Sequence, residues 1–222
     1  MPYITRYVYA VFRASSTGHR ASYFHRKILS LDTHPSRKLD IAARNKFCTL
    51  DSFKFIYQHT AKEHGPVPEA ADSPSASEQS PFYIELPRRL FKHLTVNDQN
   101  GEADYDFIDY LLELGADVNS HDGYALTKAV FSGDLYLIEI LLNRGANANL
   151  NNGRALSLAC ALKYRYALQR LLARAEGDME IEEKFIVGCL DFASDPCAGR
   201  GDLVMYILLK EYREWQFPSF QL

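Results

Sequence analysis

The sequence lacks the segments and motifs that mark membrane proteins and most enzymes. No run of about 18 apolar residues occurs in it, so it predicts no transmembrane helix. It contains no Gly-rich phosphate loop, no Gly-x-Ser-x-Gly and no His-Glu-x-x-His, and its histidines share no ligand spacing beyond the loose pair His59 and His64. We therefore expect no catalytic residue, no bound metal and no cofactor.

Cysteine and net charge are also scarce. The chain carries a formal charge of -3 over 222 residues, which offers no general argument for binding nucleic acid or a membrane surface. Its four cysteines, at positions 48, 160, 189 and 197, do not have the spacing of metal ligands. They predict reduced thiols and a cytoplasmic or nuclear setting.

What the sequence does contain is a pattern that repeats after 30 residues. The first copy has Gly123, Leu126 and Ala129, and the second has Gly153, Leu156 and Ala159. The remaining matches are Ala125 with Ala155, Tyr136 with Tyr166, Ile138 with Leu168, Leu141 with Leu171 and Leu142 with Leu172. A fixed period of this length indicates stacked structural repeats.

Each copy predicts two helices separated by a short break. Leu126 and Ala129 lie on one side of a short first helix, and the small alanine allows a neighbouring helix to approach closely. Gly133 interrupts the chain, and Asp134 follows at the position of an N-cap. The apolar stripe predicted for the second helix consists of Leu135, Ile138, Leu141 and Leu142.

These residues resemble the ankyrin-repeat family. The run DGYALTKAVFSGDLYLIEILLNRGANANLNNG, from Asp122 to Gly153, follows the order of an ankyrin repeat, and LLELGADVN, from Leu111 to Asn119, matches the end of another. The copies are about three residues shorter than the usual period of about 33. They also lack the Thr-Pro-Leu-His opening, so we expect short or irregular fingers between units. The resemblance implies an all-α ankyrin-like solenoid of about five helix-pair units.

The pattern divides the chain into seven segments. These are a basic N-terminal cap or arm (1–36), a degenerate repeat (37–64), a disordered Pro/Ser-rich insertion (65–81), three repeats (82–121, 122–151 and 152–180), and a last repeat with an insertion and a C-terminal cap (181–222). Pro87 is predicted to open a helix that runs to about Leu94. Ser73 and Ser80 each precede a proline in the insertion, where a phosphate would add negative charge.

The N-terminal segment leaves three interpretations open. Residues 1–31 hold five arginines or lysines, many aromatic residues and no acidic residue. They are expected to form a cap in which Tyr7, Val8, Val11, Phe12, Tyr23, Phe24, Ile28 and Leu29 pack on the first repeat. The alternatives are an organellar transit peptide and an arm that binds a polyanion.

Acidic residues are densest before and within the second helix of the 82–121 repeat. They are Asp98, Glu102, Asp104, Asp106 and Asp109, and no lysine or arginine occurs between Lys92 and Lys128. Such a cluster could form an acidic rim that engages a basic peptide. The alternative is a solvated loop whose acids favour the start of a helix.

The ankyrin resemblance implies a non-catalytic adaptor that binds a protein or peptide on a concave face. Position by position, that face would be lined by Tyr124, Phe131, Ser132, Arg154, Ala161 and Leu162. Phe131 is the most suggestive, since a large apolar residue stands where the fold asks only for a surface residue. Its alternative role is to pack within the chain, under residues 65–81 or a neighbouring finger. The alternative function is a nucleic-acid or membrane-surface associated regulator that uses the basic N-terminal segment.

Overall fold

The regular structure of the chain is helical throughout the part described. A computed structural model describes residues 17–64, 84–92, 94, 104–175, 181–194 and 202–217. Within these ranges the α-helices are α1 (Thr17–Leu29), α2 (Pro35–Arg44), α3 (Leu50–His64), α4 (Tyr105–Glu113), α5 (Ser120–Ser132), α6 (Leu135–Asn143), α7 (Leu150–Ala161), α8 (Arg165–Ala175), α9 (Glu183–Ser194) and α10 (Leu203–Gln216), and a 3-10 turn, η1, spans Arg88–Phe91. The predicted all-α class is therefore confirmed.

Several predictions concern residues outside the described ranges. The Pro/Ser-rich insertion 65–81, with Ser73 and Ser80, is among them. The same holds for residues 1–16, for all but the first residue of the predicted insertion Ser194–Arg200, which includes Cys197, and for Asp98 and Glu102 of the predicted acidic rim.

The helices from α5 onward are arranged as consecutive pairs. Helix α5 packs on α6, α7 on α8, and α9 on α10. We call α5, α7 and α9 the first helices; they form one row in which α5 contacts α7 and α7 contacts α9, with η1 against α5. We call α4, α6, α8 and α10 the second helices; α6 contacts α8 and α8 contacts α10. The apolar core lies between the two rows.

Apart from Tyr136 and Tyr166, the residues that recur in sequence are buried in this core. Leu126 and Leu156 are fully buried, as are the alanines at positions 129 and 159. The alanines present only a methyl group at the contact between α5 and α7, so the two helices can approach closely. The predicted degenerate repeat behaves similarly, since Leu39, Ala42 and Phe53 have no exposed surface.

The ends of these helices follow the predicted chemistry. Gly133 adopts a left-handed conformation with φ 75° at the end of α5. Asp134 then caps α6, its carboxylate accepting a hydrogen bond from the Leu137 N–H at 3.0 Å. Asp202 caps α10 in the same way by accepting from the N–H groups of Val204 and Met205.

The apolar stripe of α6 is shifted from its predicted position. Leu137, Ile138 and Leu141 are fully buried, whereas Leu135 is 41% exposed. Leu135 directly follows the capping residue Asp134 and occupies the first position of the helix. The prediction that Leu135 belongs to the core is therefore wrong, because the buried side of α6 runs through Leu137, Ile138 and Leu141.

The helix predicted from Pro87 to about Leu94 is also wrong. Only the four residues of η1 form, with hydrogen bonds of 3-10 spacing from Leu90 N–H to the Pro87 carbonyl. Two anchors account for this. The preceding residues are held extended, since the Leu86 N–H donates to Ser120 Oγ at 3.0 Å. The Arg89 side chain reaches back to the carbonyls of Ala43 and Cys48.

Helix α1 covers one end of the core, and α10 lies at the other. Phe24 and Ile28 of α1 are buried, and the helix packs against α2 and α3. Tyr23, in contrast, is 58% exposed, so its predicted place in the cap is wrong. On α10, Tyr212 is buried as predicted, but Trp215 is 60% exposed and does not close the hydrophobic face.

Candidate functional site

The first helices α5 and α7 both begin with an unusual left-handed turn. His121, Asp122 and Gly123 have φ values of 57°, 61° and 67°, and Asn151, Asn152 and Gly153 repeat them with 53°, 56° and 64°. Each turn is closed by the glycine N–H, which donates to the carbonyl of Asn119 or Asn149 at 3.1 Å. The left-handed conformation costs roughly 1–2 kcal/mol for a residue other than glycine, least for Asn and Asp. The first turn comes just before Ala125, Leu126 and Thr127, which stand in place of the Thr-Pro-Leu-His opening.

Polar side chains join each turn to the following unit. Asn119 Oδ1 accepts from the Asn147 N–H at 2.8 Å, and its Nδ2 donates to the Gly145 carbonyl at 3.2 Å. The Asp122 carboxylate accepts from the Asn151 N–H at 3.2 Å. Asn149 Oδ1 accepts from the Glu182 N–H at 3.1 Å in the unit after that. These bonds satisfy backbone groups and hold consecutive first helices in register.

The 30-residue period relates one position on each first helix. Tyr124 of α5, Arg154 of α7 and Lys184 of α9 are spaced 30 residues apart, and Arg154 and Lys184 are exposed. We define the first-helix face by the residues that share this side of the row. They are Tyr124, Lys128, Phe131, Arg154, Leu158, Ala161 and Lys184, with Arg88 of η1 beside them.

Tyr124 is half-buried and already has a cation against its ring. The guanidinium carbon of Arg88 lies 5.1 Å from the ring centroid. The edge of the Phe91 ring approaches the other side, with centroids 6.4 Å apart. Arg88 itself is exposed, so Tyr124 and Arg88 together offer a flat ring and a positive charge.

Phe131 is half-buried and is covered in part by Lys128. The Lys128 Nζ lies 4.7 Å from the Phe131 ring centroid and also donates to the Leu94 carbonyl at 2.9 Å. The lysine is thus held between the ring and the segment that follows η1. Phe131 therefore makes a local contact within the chain and keeps part of its ring on the surface.

The other predicted partner-binding residues differ in what they expose. Arg154 and Ala161 are exposed, and Leu162 is half-buried at the end of α7. Ser132 is buried, and its hydroxyl donates to the Ala129 carbonyl at 3.0 Å. Ser132 is not part of the first-helix face, because its side chain is buried and bonds within the last turn of α5.

The first-helix face is positively charged. The segments 88–92, 124–132 and 154–163 contain six lysines or arginines and no aspartate or glutamate. One of the six, Arg89, points instead toward the preceding unit, where it bonds two carbonyls. At α9 the positive charge is lost, since Glu182, Glu183 and Asp191 outnumber Lys184, which forms an ion pair with Glu182.

The described part of the predicted acidic rim lies on the second helices. Asp104 caps α4 by accepting from the Phe107 N–H at 3.3 Å. Asp109 forms an ion pair with Arg144 of α6 at 3.0 Å, and Asp106 is exposed in the first turn of α4. Asp104 thus favours the start of α4 and Asp109 is paired with a neighbouring helix, while an acidic rim that engages a basic peptide stays a prediction.

Sequence reasoning missed an apolar patch on the second helices. Tyr136 is 63% exposed and Leu203 is 73% exposed. The remaining members are Leu135, Tyr166, Val204 and Ile207. Most of them occupy the first or second position of α6, α8 or α10. The recurrence of Tyr136 as Tyr166 is the signal that could have identified the patch.

The described cysteines are buried and have no metal partners. Burial raises the pKa of the Cys48 thiol to about 12. The pKa of the Cys160 thiol is also raised, mainly by a hydrogen bond with Cys189 and to a smaller extent by burial. In the described ranges no group of three His, Cys, Asp or Glu side chains is arranged to hold a metal ion. No helix among the same residues combines the length and apolar character needed to cross a bilayer.

Comparison with known proteins adds no assignment to these observations. No family model, no curated protein and no solved structure gives a significant match to the chain. The functional interpretation therefore rests on the residues of the first-helix face.

Proposed function

We propose that the chain is an ankyrin-like helical-repeat solenoid that binds a partner protein or peptide on its first-helix face and has no catalytic role. Three features support this proposal. The helices form consecutive pairs, the pairs stack through two rows, and the residues that recur after 30 positions are buried except for Tyr136 and Tyr166. Stacked arrays of this kind form extended surfaces suited to binding other proteins.

One observation carries the functional part of the proposal. At positions 30 residues apart on successive first helices the chain has the half-buried Tyr124 and the exposed Arg154 and Lys184, and Phe131 lies two turns further along the same side of α5. The core does not require large or charged residues at these positions. Tyrosine and arginine are the residues that most often dominate binding energy in protein interfaces.

The alternative use of the basic N-terminal segment has less support. Residues 1–16 lie outside the described ranges, and the described part forms α1, whose Phe24 and Ile28 face the core. Packing of this kind is what a cap requires. Binding of nucleic acid or a membrane surface through this segment stays a prediction, as does placement in the cytoplasm or nucleus.

The proposal is tested by comparing proteins captured from lysate by three forms of the chain. The first is the wild type, and the second carries Phe131→Ala and Arg154→Glu on the first-helix face. The third carries Tyr136→Ala, which removes an aromatic residue that is 63% exposed on the other row. All three must show the same thermal unfolding profile, so that lost capture reports on the surface and not on folding.

We expect the wild type and the Tyr136→Ala variant to capture the same protein. The variant altered at Phe131 and Arg154 should lose it, because both side chains lie where a partner would contact the first helices. If Tyr136→Ala loses the protein and the first-helix variant keeps it, binding occurs on the second helices and the proposal fails.

A further inference from the structure

The first-helix face and the α4 end of the second helices carry opposite charges, which restricts the chemistry of the partner. Three segments of the first-helix face carry no acidic residue, as described above. The second helices carry Asp104, Asp106 and Asp109 on α4, with Glu139 on α6. An acidic ligand would be attracted to the first-helix face and repelled from the α4 end of the second helices.

The cations of the first-helix face are held next to aromatic rings. Arg88 lies 5.1 Å from the Tyr124 ring centroid, and Lys128 lies 4.7 Å from that of Phe131. On α9, Lys184 lies 4.7 Å from the Phe185 ring. A guanidinium or ammonium group supported in this way is less free to move, so less side-chain entropy is lost when it binds a carboxylate.

The register of the first helices also sets a spacing for the ligand. Residues at equivalent positions on packed neighbouring helices lie roughly 10 Å apart. A peptide in the extended polyproline II conformation has three residues per turn and rises about 3.1 Å per residue. Every third side chain therefore faces the same side, and about three residues span the distance between two such positions. A peptide with an acidic side chain at every third residue would therefore meet these cations in turn: Arg88 beside Tyr124, then Arg154, then Lys184.

We propose that the first-helix face binds an extended acidic peptide with an aspartate or glutamate at about every third residue. This inference rests on the proposed function and names the chemistry of its partner. Arg154 makes the largest contribution, because it is exposed and carries no ion pair among the described residues. Lys184 makes the smallest, because Glu182 already forms an ion pair with it.

The test measures fluorescence anisotropy of three labelled peptides titrated with the full chain. One has a glutamate at every third position, a second has the same composition with its glutamates contiguous, and a third has lysine in place of glutamate. A single-stranded oligonucleotide of equal charge provides a fourth probe. Each titration is done at about 50 mM and about 200 mM NaCl, since the affinity of a polyanion falls steeply over this range.

The spaced acidic peptide should bind most tightly. Arg154→Glu should weaken it by about tenfold or more, and Arg88→Glu by less than Arg154→Glu. The matched control is Lys210→Glu, which makes the same change in net charge at an exposed position on α10. It should leave the affinity nearly unchanged.

Four outcomes would overturn the inference. They are tightest binding by the lysine peptide, equal binding by the spaced and contiguous acidic peptides, equal weakening by Arg154→Glu and Lys210→Glu, and tightest binding by the oligonucleotide. A fifth distinguishes this inference from the proposed function. If the lysate protein is lost with Phe131→Ala and Arg154→Glu but no acidic peptide binds, the first-helix face is the binding surface and its partner is not acidic.

Discussion

Helices α5 and α7 occupy equivalent places in neighbouring units, and they agree only where they are buried. Both have glycine, leucine and two alanines at the same buried positions. On the exposed side, α5 has Tyr124, Lys128 and Phe131, whereas α7 has Arg154, Leu158 and Ala161 at the corresponding positions. Contact with the next helix restricts the buried residues to small or closely fitting ones, while the exposed residues remain free to serve binding.

The two helices also end with the same geometry and different chemistry. After α5, Gly133 has φ 75° and the Asp134 N–H donates to the Ala129 carbonyl at 3.1 Å. After α7, Lys163 has φ 56° and the Tyr164 N–H donates to the Ala159 carbonyl at 2.9 Å. Packing therefore imposes the left-handed residue even where the sequence supplies no glycine, at a cost that mutation can reveal.

The largest effect is expected at the glycine of the left-handed turn before α7. Gly153→Ala should lower the free energy of unfolding by about 3 kcal/mol, because φ is 64° and a Cβ would lie 2.6 Å from the Phe185 ring. Gly123→Ala should cost less, about 2 kcal/mol, since the nearest atom there is Leu150 Cβ at 3.0 Å. Urea unfolding measures both.

Gly188→Ala is the control for these two variants. Gly188 lies within α9 with no atom near the added Cβ, so alanine should stabilise the protein by up to about 1 kcal/mol. If Gly153→Ala unfolds at the same urea concentration as the wild type, the turn before α7 is not rigidly held and the equivalence of the two turns is lost.

A smaller loss of stability is expected when the residue that caps α6 is replaced. The equivalent position before α8 holds Tyr164 and not an aspartate. Asp134→Ala removes the bond from the Leu137 N–H and leaves the Tyr105 hydroxyl without the carboxylate it donates to at 2.6 Å. Together these should cost about 2 kcal/mol. Tyr105→Phe removes only the second bond and should cost less by thermal or urea unfolding. Equal losses in the two variants would show that the cap itself contributes nothing.

Substitutions of the left-handed residues after α5 and α7 should change the free energy of unfolding in opposite directions. Lys163→Gly should stabilise the protein by about 1 kcal/mol, because glycine adopts the left-handed conformation without strain. Lys163→Ala keeps the strain and removes the side chain, so the difference between the two variants isolates the backbone effect. Gly133→Ala should destabilise, because φ is 75° and its Cβ would lie 3.3 Å from the Tyr164 ring. Identical melting temperatures for Gly and Ala at position 163 would contradict this explanation.

The smallest predicted effect concerns the buried thiol of Cys48, which lies between α2 and α3. Burial raises the pKa of Cys48 to about 12, so the folded protein keeps this proton at a pH where the unfolded chain loses it. Stability is therefore complete below the unfolded pKa of about 8.5 and falls as pH rises above it, by roughly 0.8 kcal/mol at about pH 9.

The control for this pH effect is Cys48→Ala. Each protein is compared with itself by urea unfolding at about pH 7 and about pH 9, so the volume lost in the variant cancels. The decline should be smaller in Cys48→Ala than in the wild type. An equal decline in both would assign the pH dependence to other groups, such as Tyr57, whose pKa burial also raises.

Features that depend on residues close in sequence were predicted well. The helices around Leu39, Phe53, Leu126 and Leu156 follow from apolar spacing, and Asp134 follows from capping chemistry, since both need only neighbours within a turn or two. The predictions for Leu135 and the helix after Pro87 were wrong. Each depends on what the rest of the molecule places beside it.

The sequence by itself determined the all-helical class, the 30-residue period and most of the buried positions, because helical periodicity and side-chain size are local properties. Only the tertiary structure decided the left-handed turns, the short form of η1 and the placement of Arg88 and Lys128 over aromatic rings. These depend on hydrogen bonds and contacts between residues far apart in the chain. Spacing along one segment carries no information about them.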